Sequence, residues 1–276
     1  MISLGDMVRK NHPLLFWGMR RLPKAKRDAI YTLFAFCRHL ATLQRSEMSL
    51  TEKAEILAAW HEELNNIYDK RVPETNIGRK IYKNCLRFNL PKKLWEEILN
   101  SAELDAQIPL VAPDENKFIR YVDGTAVVPI ELTLMILDGE HPLVNAELAK
   151  NLGYAVLLTY ILRDIKDDAK RGRMYIPLGA LRECGIELDT PRGIIENKNL
   201  SAVRENIATQ VEKCYIQAEK LLDKTNKQDT LPLHMVEVSG RTLFEMMKKR
   251  GWEIISPKPQ LGFIKRVGIA YRLLFK

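Results

Sequence analysis

NLGYAVLLTYILRDIKDDAKRGRMYIP, running from Asn151 to Pro177, is apolar in its first half and densely charged in its second. The apolar half has the length of a buried helix. Asp164 and Asp168 stand one helical turn apart, which stacks them on one face, with Asp167 at the edge of that face. Two carboxylates so placed repel each other and make a seat for a hard divalent cation. Mg²⁺ takes oxygen ligands, keeps several waters and completes its shell with phosphate oxygens. Arg163, Lys170, Arg171 and Arg173 surround the acids, and guanidinium groups fork onto the phosphate oxygens a metal leaves free. Together these features suggest a pocket that grips an apolar chain at one end and a diphosphate at the other. The plainer alternative is a solvated last helical turn, because Asp-x-x-x-Asp alone arises by chance in many helices.

The longer run ILRDIKDDAKRGRMYIP resembles the second aspartate-rich segment of the squalene/phytoene synthase family. There an I-L-R-D helix end is followed by a second Asp four residues on, then R-G-R, an aromatic residue and a proline. The resemblance implies an all-α isoprenoid synthase fold, a helical bundle around a central apolar cavity. It also implies prenyl diphosphate substrates bound with Mg²⁺.

Composition agrees with a helical globular protein. The chain has 276 residues, 46% of them hydrophobic and 28% charged, with only 14 glycines and few alternating apolar runs. We read it as a single domain over 1–276, with 259–276 as a basic amphipathic tail. The net charge of +8 suits a phosphorylated small molecule or anionic lipid. No basic block with interleaved aromatics marks a nucleic-acid platform, so no nucleic-acid partner is expected. Cys37, Cys85, Cys184 and Cys214 are scattered, which fits a reducing cytoplasm and argues against zinc or a disulfide framework. No secretory signal and no 18-residue apolar run are present.

Along the chain, Pro23 opens a helix running to about Gln44, with Ile30, Leu33, Phe34, Cys37 and Leu40 facing the core. Ser49 and Glu52 form a capping box ahead of Ile56, Leu57, Trp60, Leu64 and Ile67. Helices are expected over 78–88 and 91–99, then a loop over 105–117. A helix over 118–137 should kink at Pro129, and 138–142 turns the chain. Beyond Pro177 lies a loop-rich stretch, helical over 179–184. Ile207, Val211, Cys214, Ala218 and Leu221 mark a long amphipathic helix, and a last one covers about 233–250.

The resemblance spans about 15–252 with unequal strength. Phe34-Ala-Phe-Cys-Arg38 is similar to the family's first signature, where F-C-R precedes two adjacent aspartates and a third three residues later. Here Ala41, Thr42 and Arg45 stand in those places. Arg45 would repel a cation but could hold a phosphate oxygen directly. One ion on Asp164 and Asp168, with Asp167 beside them, is therefore the expectation rather than several. By the resemblance, Tyr121 handles a proton or stabilises a cation. Arg38, Arg163, Arg171 and Arg173 contact diphosphate, and Phe34, Val127, Ile130, Leu157 and Tyr160 line the cavity. Val127 and Ile130 are bulkier than the family's usual small residues, and Leu157 and Tyr160 replace a Gln and an Asn. A packed Tyr121 and surface ion pairs for the arginines are the plain alternatives. His12, His39, His61, His141 and His234 form no metal-spaced set and are expected in solvated or capping roles.

The functional expectation is a prenyltransferase that ionises a farnesyl or geranylgeranyl diphosphate with Mg²⁺ and couples it to a second prenyl chain. Squalene-type products also need NADPH, for which the chain carries no glycine-rich dinucleotide loop; the fold can hold reduced cofactor without one. Two alternatives stand beside this. One is a non-catalytic relative serving as a partner subunit or assembly factor, favoured by the changed first signature. The other is a transferase that passes one prenyl group to a different acceptor. In the tail, basic residues among Leu261, Phe263, Ile264, Val267 and Phe275 suit a helix lying on an anionic membrane, or one docked on the domain.

Overall fold

The computed structural model of the protein describes residues 4–137, 142–187 and 190–275. Its regular elements are helices: α1 (Leu4–Asn11), α2 (Pro13–Met19), α3 (Lys24–Gln44), α4 (Leu50–Asn65), α5 (Asn76–Phe88), α6 (Lys92–Ala106) and α7 (Glu115–Val122). They continue through α8 (Val128–Leu137), α9 (Pro142–Lys170), α10 (Leu178–Glu183), α11 (Pro191–Glu196), α12 (Leu200–Leu222), α13 (Leu231–Arg250) and α14 (Phe263–Phe275). Short wider π-type turns follow α4 at Asn66–Lys70 and α7 at Asp123–Val127. Among the described residues the sole extended pairing is an isolated bridge between Val111 and Met174. The all-α expectation holds.

Start signals act where the side chains predict. Ser49 accepts from the Glu52 amide while Glu52 accepts from the Ser49 amide, closing the capping box of α4. Thr75 and Asp114 cap α5 and α7 through the third amide of each helix. The expected kink at Pro129 takes another form. Proline lacks an N–H and its ring crowds the carbonyl four residues back. The backbone relieves this upstream, widening into the π turn over Asp123–Val127, and α8 then starts regularly. Gly124 permits close packing there, since a Cβ would lie 2.3 Å from the Glu97 carbonyl oxygen of α6. Gly153 does the same on α9, where a Cβ would lie 2.9 Å from Cα of Val127.

Central to the bundle is α9, 29 residues long and packed chiefly against α12, α13, α8 and the second π turn. Leu148, Leu152, Ala155, Leu158, Leu162 and Ile165 are buried along one side of it. Each fully buried Leu or Ile contributes about 1.5–3 kcal/mol before its entropy cost. Three features escaped the sequence: the short helices α1 and α2 ahead of Pro23, the short helix α11, and the extension of α6 to Ala106, so that Asp105 is helical rather than in a loop. The tail forms α14, whose Ile269 and Ala270 bury against Leu14 of α2 and Leu231 and Met235 of α13. The turn expected over 138–142, with His141, lies outside the described residues except for Pro142, the first residue of α9.

Candidate active site

The R-G-R sequence ends α9 and reverses the chain. Gly172 sits at φ +73°, a left-handed conformation that favours glycine. The Arg173 amide donates to the Asp168 carbonyl and the Gly172 amide to the Ala169 carbonyl, the paired bonds of a Schellman ending. This turn sends Arg173 back into the bundle. Its Nε donates to both carboxylate oxygens of Asp105 at 3.0 Å, and a terminal nitrogen donates to the Gln44 carbonyl at 2.8 Å, at the end of α3. Tyr175 donates its hydroxyl to Asp105 at 2.8 Å, and the Leu110 amide donates to the same carboxylate. Tyr121 stacks on Tyr175 with ring centres 4.8 Å apart. All of these side chains are buried. Burial, and then the Asp105 charge, hold the Tyr121 phenol above its ordinary pKa.

On the other side of α9 the charges face a cavity. Arg163 forks onto its neighbour Asp164, Nε to Oδ1 at 2.9 Å and a terminal nitrogen to Oδ2 at 2.6 Å. It also lies 4.5 Å from the centre of the Tyr160 ring. Lys258, from the segment between α13 and α14, places Nζ 3.1 Å from Asp164 and 2.7 Å from Asp167. Burial opposes ionisation of Asp164, but the Arg163 fork and then Lys258 outweigh it, and the carboxyl sits below its usual value. Asp168 differs. It is buried, its nearest cation is Arg171 at 3.6 Å, and burial followed by the Asp164 charge pushes it up to about 6. Arg45 is one of the charges that pull it back down, so the α3 position held by an acid in the resembled signature presents a cation to Asp168 here.

A cavity of about 590 Å³ opens between α1–α2, α3, α9, α13 and the 258–266 segment. That is within the range of small-molecule sites. Lys10, Arg38, Arg163, Lys258 and Arg266 line it, and among the described residues no acidic one does. Leu15, Phe34, Val156, Tyr160, Met235 and Leu243 supply an apolar wall. His12 stands at the rim, edge-on to Phe34 at 5.2 Å. Although His12 is exposed at the surface, the atoms packed around its ring, then Arg38 and Arg163, hold its imidazole below the usual value and favour the neutral form at pH 7.

Of the expected site residues, Arg38, Arg163, Phe34 and Tyr160 meet in this cavity, with Asp164 directly behind Arg163. Asp167 adjoins through Lys258. Arg173 and Tyr121 belong instead to the buried Asp105 cluster, because the turn at Gly172 directs Arg173 inward. Arg171 is half-exposed beyond the last turn. Val127 is packed against Gly153, and Ile130 and Leu157 are half-buried against the main core, outside the cavity wall. Sequence reasoning missed Asp105, Lys258 and the rim position of His12. The acids that would hold a Mg²⁺ ion shared with a substrate are Asp164 and Asp168, of which Asp164 is already engaged by Arg163 and Lys258. They do not make a cage by themselves, since among the described residues no three acidic, His or Cys side chains are grouped to hold a metal.

The squalene/phytoene synthase family profile matches residues 8–265. The chain belongs to the squalene/phytoene synthase family. Among its relatives, the presqualene diphosphate synthase of Zymomonas mobilis is 29% identical over 237 residues, covering 86% of this chain and 80% of that protein. The corresponding protein of Rhodopseudomonas palustris is 26% identical, covering 91% and 89%. A ligand-bound dehydrosqualene synthase superposes with a TM-score of 0.83 at 20% identity, covering 98% of this chain and 94% of that one. Within the family, this member lacks the first aspartate-rich motif: Ala41, Thr42 and Arg45 replace its acids.

Proposed function

We propose that the protein joins two prenyl diphosphates head to head, as presqualene diphosphate and phytoene synthases do. The observation that carries this reading is the cavity, lined by five cationic side chains together with a set of large apolar ones. A diphosphate leaves an allylic carbon only if its growing charge is met by positioned positive groups. Arg38 and Arg163 present guanidinium forks from facing helices, α3 and α9, and Lys10 and Arg266 flank them. Mg²⁺ on Asp164 and Asp168 would add Lewis-acid neutralisation of the leaving group. Phe34, Tyr160 and Leu243 exclude water from the allylic cation, and the ring face of Phe34 can stabilise it. His12, neutral at pH 7, can accept a hydrogen bond or a proton at the rim.

The test is incubation of purified protein with labelled farnesyl and geranylgeranyl diphosphates, with and without Mg²⁺. Diphosphate release that disappears in Asp164→Ala supports the reading. Silence with every donor overturns it and favours a non-catalytic partner role, for which the prior engagement of Asp164 by Arg163 and Lys258 would be sufficient.

Contact with an anionic membrane is the second part of the reading. Among the described residues no helix is long and apolar enough to cross a membrane. While α14 buries Ile269 and Ala270, it exposes Phe263, Ile264, Val267, Tyr271 and Phe275 beside Lys265 and Arg272, and it carries no acid. Leu261 and Arg266, at the start of this helix, also line the cavity, so a lipid-soluble chain would enter beside the bilayer. Phe263→Glu with Ile264→Glu should release the protein from phosphatidylglycerol vesicles in a sedimentation assay. Unchanged pelleting would refute the contact.

A further inference from the structure

The segment joining α13 to α14 carries Lys258 to a place no other residue between the two helices reaches. It is tied down on both sides of Lys258. Arg204 of α12, buried, donates to the carbonyls of Trp252 and, at 3.3 Å, Leu162 of α9, so the start of the segment is bound to the middle of that helix. Arg250 donates to the Pro257 carbonyl at 2.7 Å, and Pro259 is buried. Beyond it, Arg266 donates to the Leu261 carbonyl at 2.7 Å. Lys258 is thus presented to α9 by an anchored backbone rather than by a free chain, and little ordering entropy remains to be lost in the contact.

Its ammonium sits between Asp164 and Asp167, two of the three acids on which a divalent ion is expected. It also lines the cavity with Arg38 and Arg163. One ammonium therefore neutralises the acids on one side and faces any incoming anion on the other. At the end of the opposing helix α3, Arg45 stands where the resembled signature has an acid, so a positive charge acts on Asp168 where a metal would need a carboxylate. Both cations take up work that a divalent ion would otherwise do.

We propose that Lys258 is the resident cation of this site: it neutralises Asp164 and Asp167, competes with a divalent ion for them, and lets the cavity bind diphosphate without metal. This rests on the diphosphate reading of the cavity and extends it to how the charge is met. Two consequences are separable. Removing the ammonium should weaken metal-free diphosphate binding, since a charge-assisted hydrogen bond is lost. It should also free Asp167, leave Asp164 with Arg163 alone, and strengthen divalent-ion binding.

Calorimetric titration with inorganic diphosphate in EDTA tests the first, and titration with Mn²⁺ followed by electron paramagnetic resonance of the free ion tests the second. Wild type should bind diphosphate in EDTA. Lys258→Ala should weaken it by about tenfold or more and bind Mn²⁺ several-fold tighter. Lys258→Arg, which keeps the charge, should stay near wild type in both titrations, and Lys248→Ala, an exposed lysine paired with Glu212, should change neither. If Lys258→Ala does not fold, judged by circular dichroism, Lys258→Gln replaces it. An unchanged result in either titration overturns the proposal. Wild-type diphosphate binding that requires Mn²⁺ overturns the proposal and leaves the diphosphate reading standing. No diphosphate binding with or without Mn²⁺ removes both.

Discussion

Arg163 with Asp164 and Arg173 with Asp105 are two charge pairs of the same residue types, set on either side of the end of α9. In the second, both carboxylate oxygens and two of the three guanidinium nitrogens are hydrogen-bonded inside the protein. Arg173 reaches Asp105 and the Gln44 carbonyl, Tyr175 and the Leu110 amide complete the carboxylate, and the side chains are 8% and 1% exposed. The pair ties the C-terminal ends of α3 and α6 to the chain leaving α9, placing a positive group at the negative ends of helices. In the first pair the side chains are 20% and 22% exposed, a lysine from another segment shares the acid, and the guanidinium borders a cavity. Saturation marks the structural pair. Residual capacity marks the one available to a ligand.

The largest effect should come from breaking the saturated pair. Asp105→Ala leaves Arg173 charged and buried beside an unsatisfied Tyr175 hydroxyl and Leu110 amide. Removing one partner of a buried pair costs about 3–5 kcal/mol, which for a chain of this size lowers Tm by about 5–10 °C. Calorimetry checks this, and a loss below about 1 kcal/mol would end the distinction drawn above. Next comes Arg163→Gln. It should cut diphosphate release by about 10²- to 10³-fold, the typical cost of one positioned charge-stabilising group. Its Tm should stay near wild type, because Asp164 keeps Lys258. A Tm drop as large as that of Asp105→Ala would make both pairs structural.

Glu237 on α13 is a buried acid that resembles neither pair. Its Oε1 has no hydrogen-bond partner, and Arg241 lies 3.6 Å away. Burial first, and then the neighbouring Glu219 and Asp223 against the pull of Arg241, raise its carboxyl from the ordinary 4.5 to about 7. A carboxyl raised in the fold holds its proton more tightly there than in the unfolded chain. Its contribution is therefore most favourable below pH 4.5, is lost as pH rises through 7, and is level above that. Glu237→Gln keeps the shape without the charge. It should stabilise the protein by about 2–3 kcal/mol at pH 8 and by nearly nothing at pH 4.5. Denaturant titrations at the two pH values decide it, and a gain equal at both would show that ionisation is not the cause.

How much of this could be read from the chain depends on how far apart the partners lie. Apolar periodicity and local caps revealed α3, α4, α9, α12 and α13, because their signals fall within a few turns. Asp164 and Arg163 were legible for the same reason: neighbours on one helix end share a side of it. Asp105 and Arg173 are 68 residues apart, and Lys258 and Asp167 are 91 apart. Neither contact leaves a trace in spacing. R-G-R gave the identity of Arg173 but not its destination, which the left-handed turn at Gly172 decides. Pro129 announced an irregular backbone, yet where the strain is released depends on the freedom of Gly124 against α6. The charge change at Ala41, Thr42 and Arg45 was fully visible, since it needs no contact to be counted.

The smallest expected effect separates position from composition. Arg171 belongs to the same R-G-R and was expected, with Arg173, to hold diphosphate, yet its side chain is about half exposed and reaches Asp168 at only 3.6 Å. An exposed pair of that length contributes about 0–1 kcal/mol, because water screens it and the long side chain loses freedom in forming it. Arg171→Ala should therefore shift Tm by no more than about 2 °C. One consequence does follow from its charge. Burial and Asp164 raise Asp168 while Arg45, Arg171 and Arg173 restrain it, so losing Arg171 should raise that carboxyl further. Measured by NMR titration of Asp168 in metal-free protein, the shift should be upward and smaller than the one produced by Arg45→Ala, since Arg45 ranks ahead of Arg171 among those restraints. A downward shift, or a larger one for Arg171 than for Arg45, would mean that the α3 cation does not face α9 as described, and the contrast between the two helices would have to be redrawn.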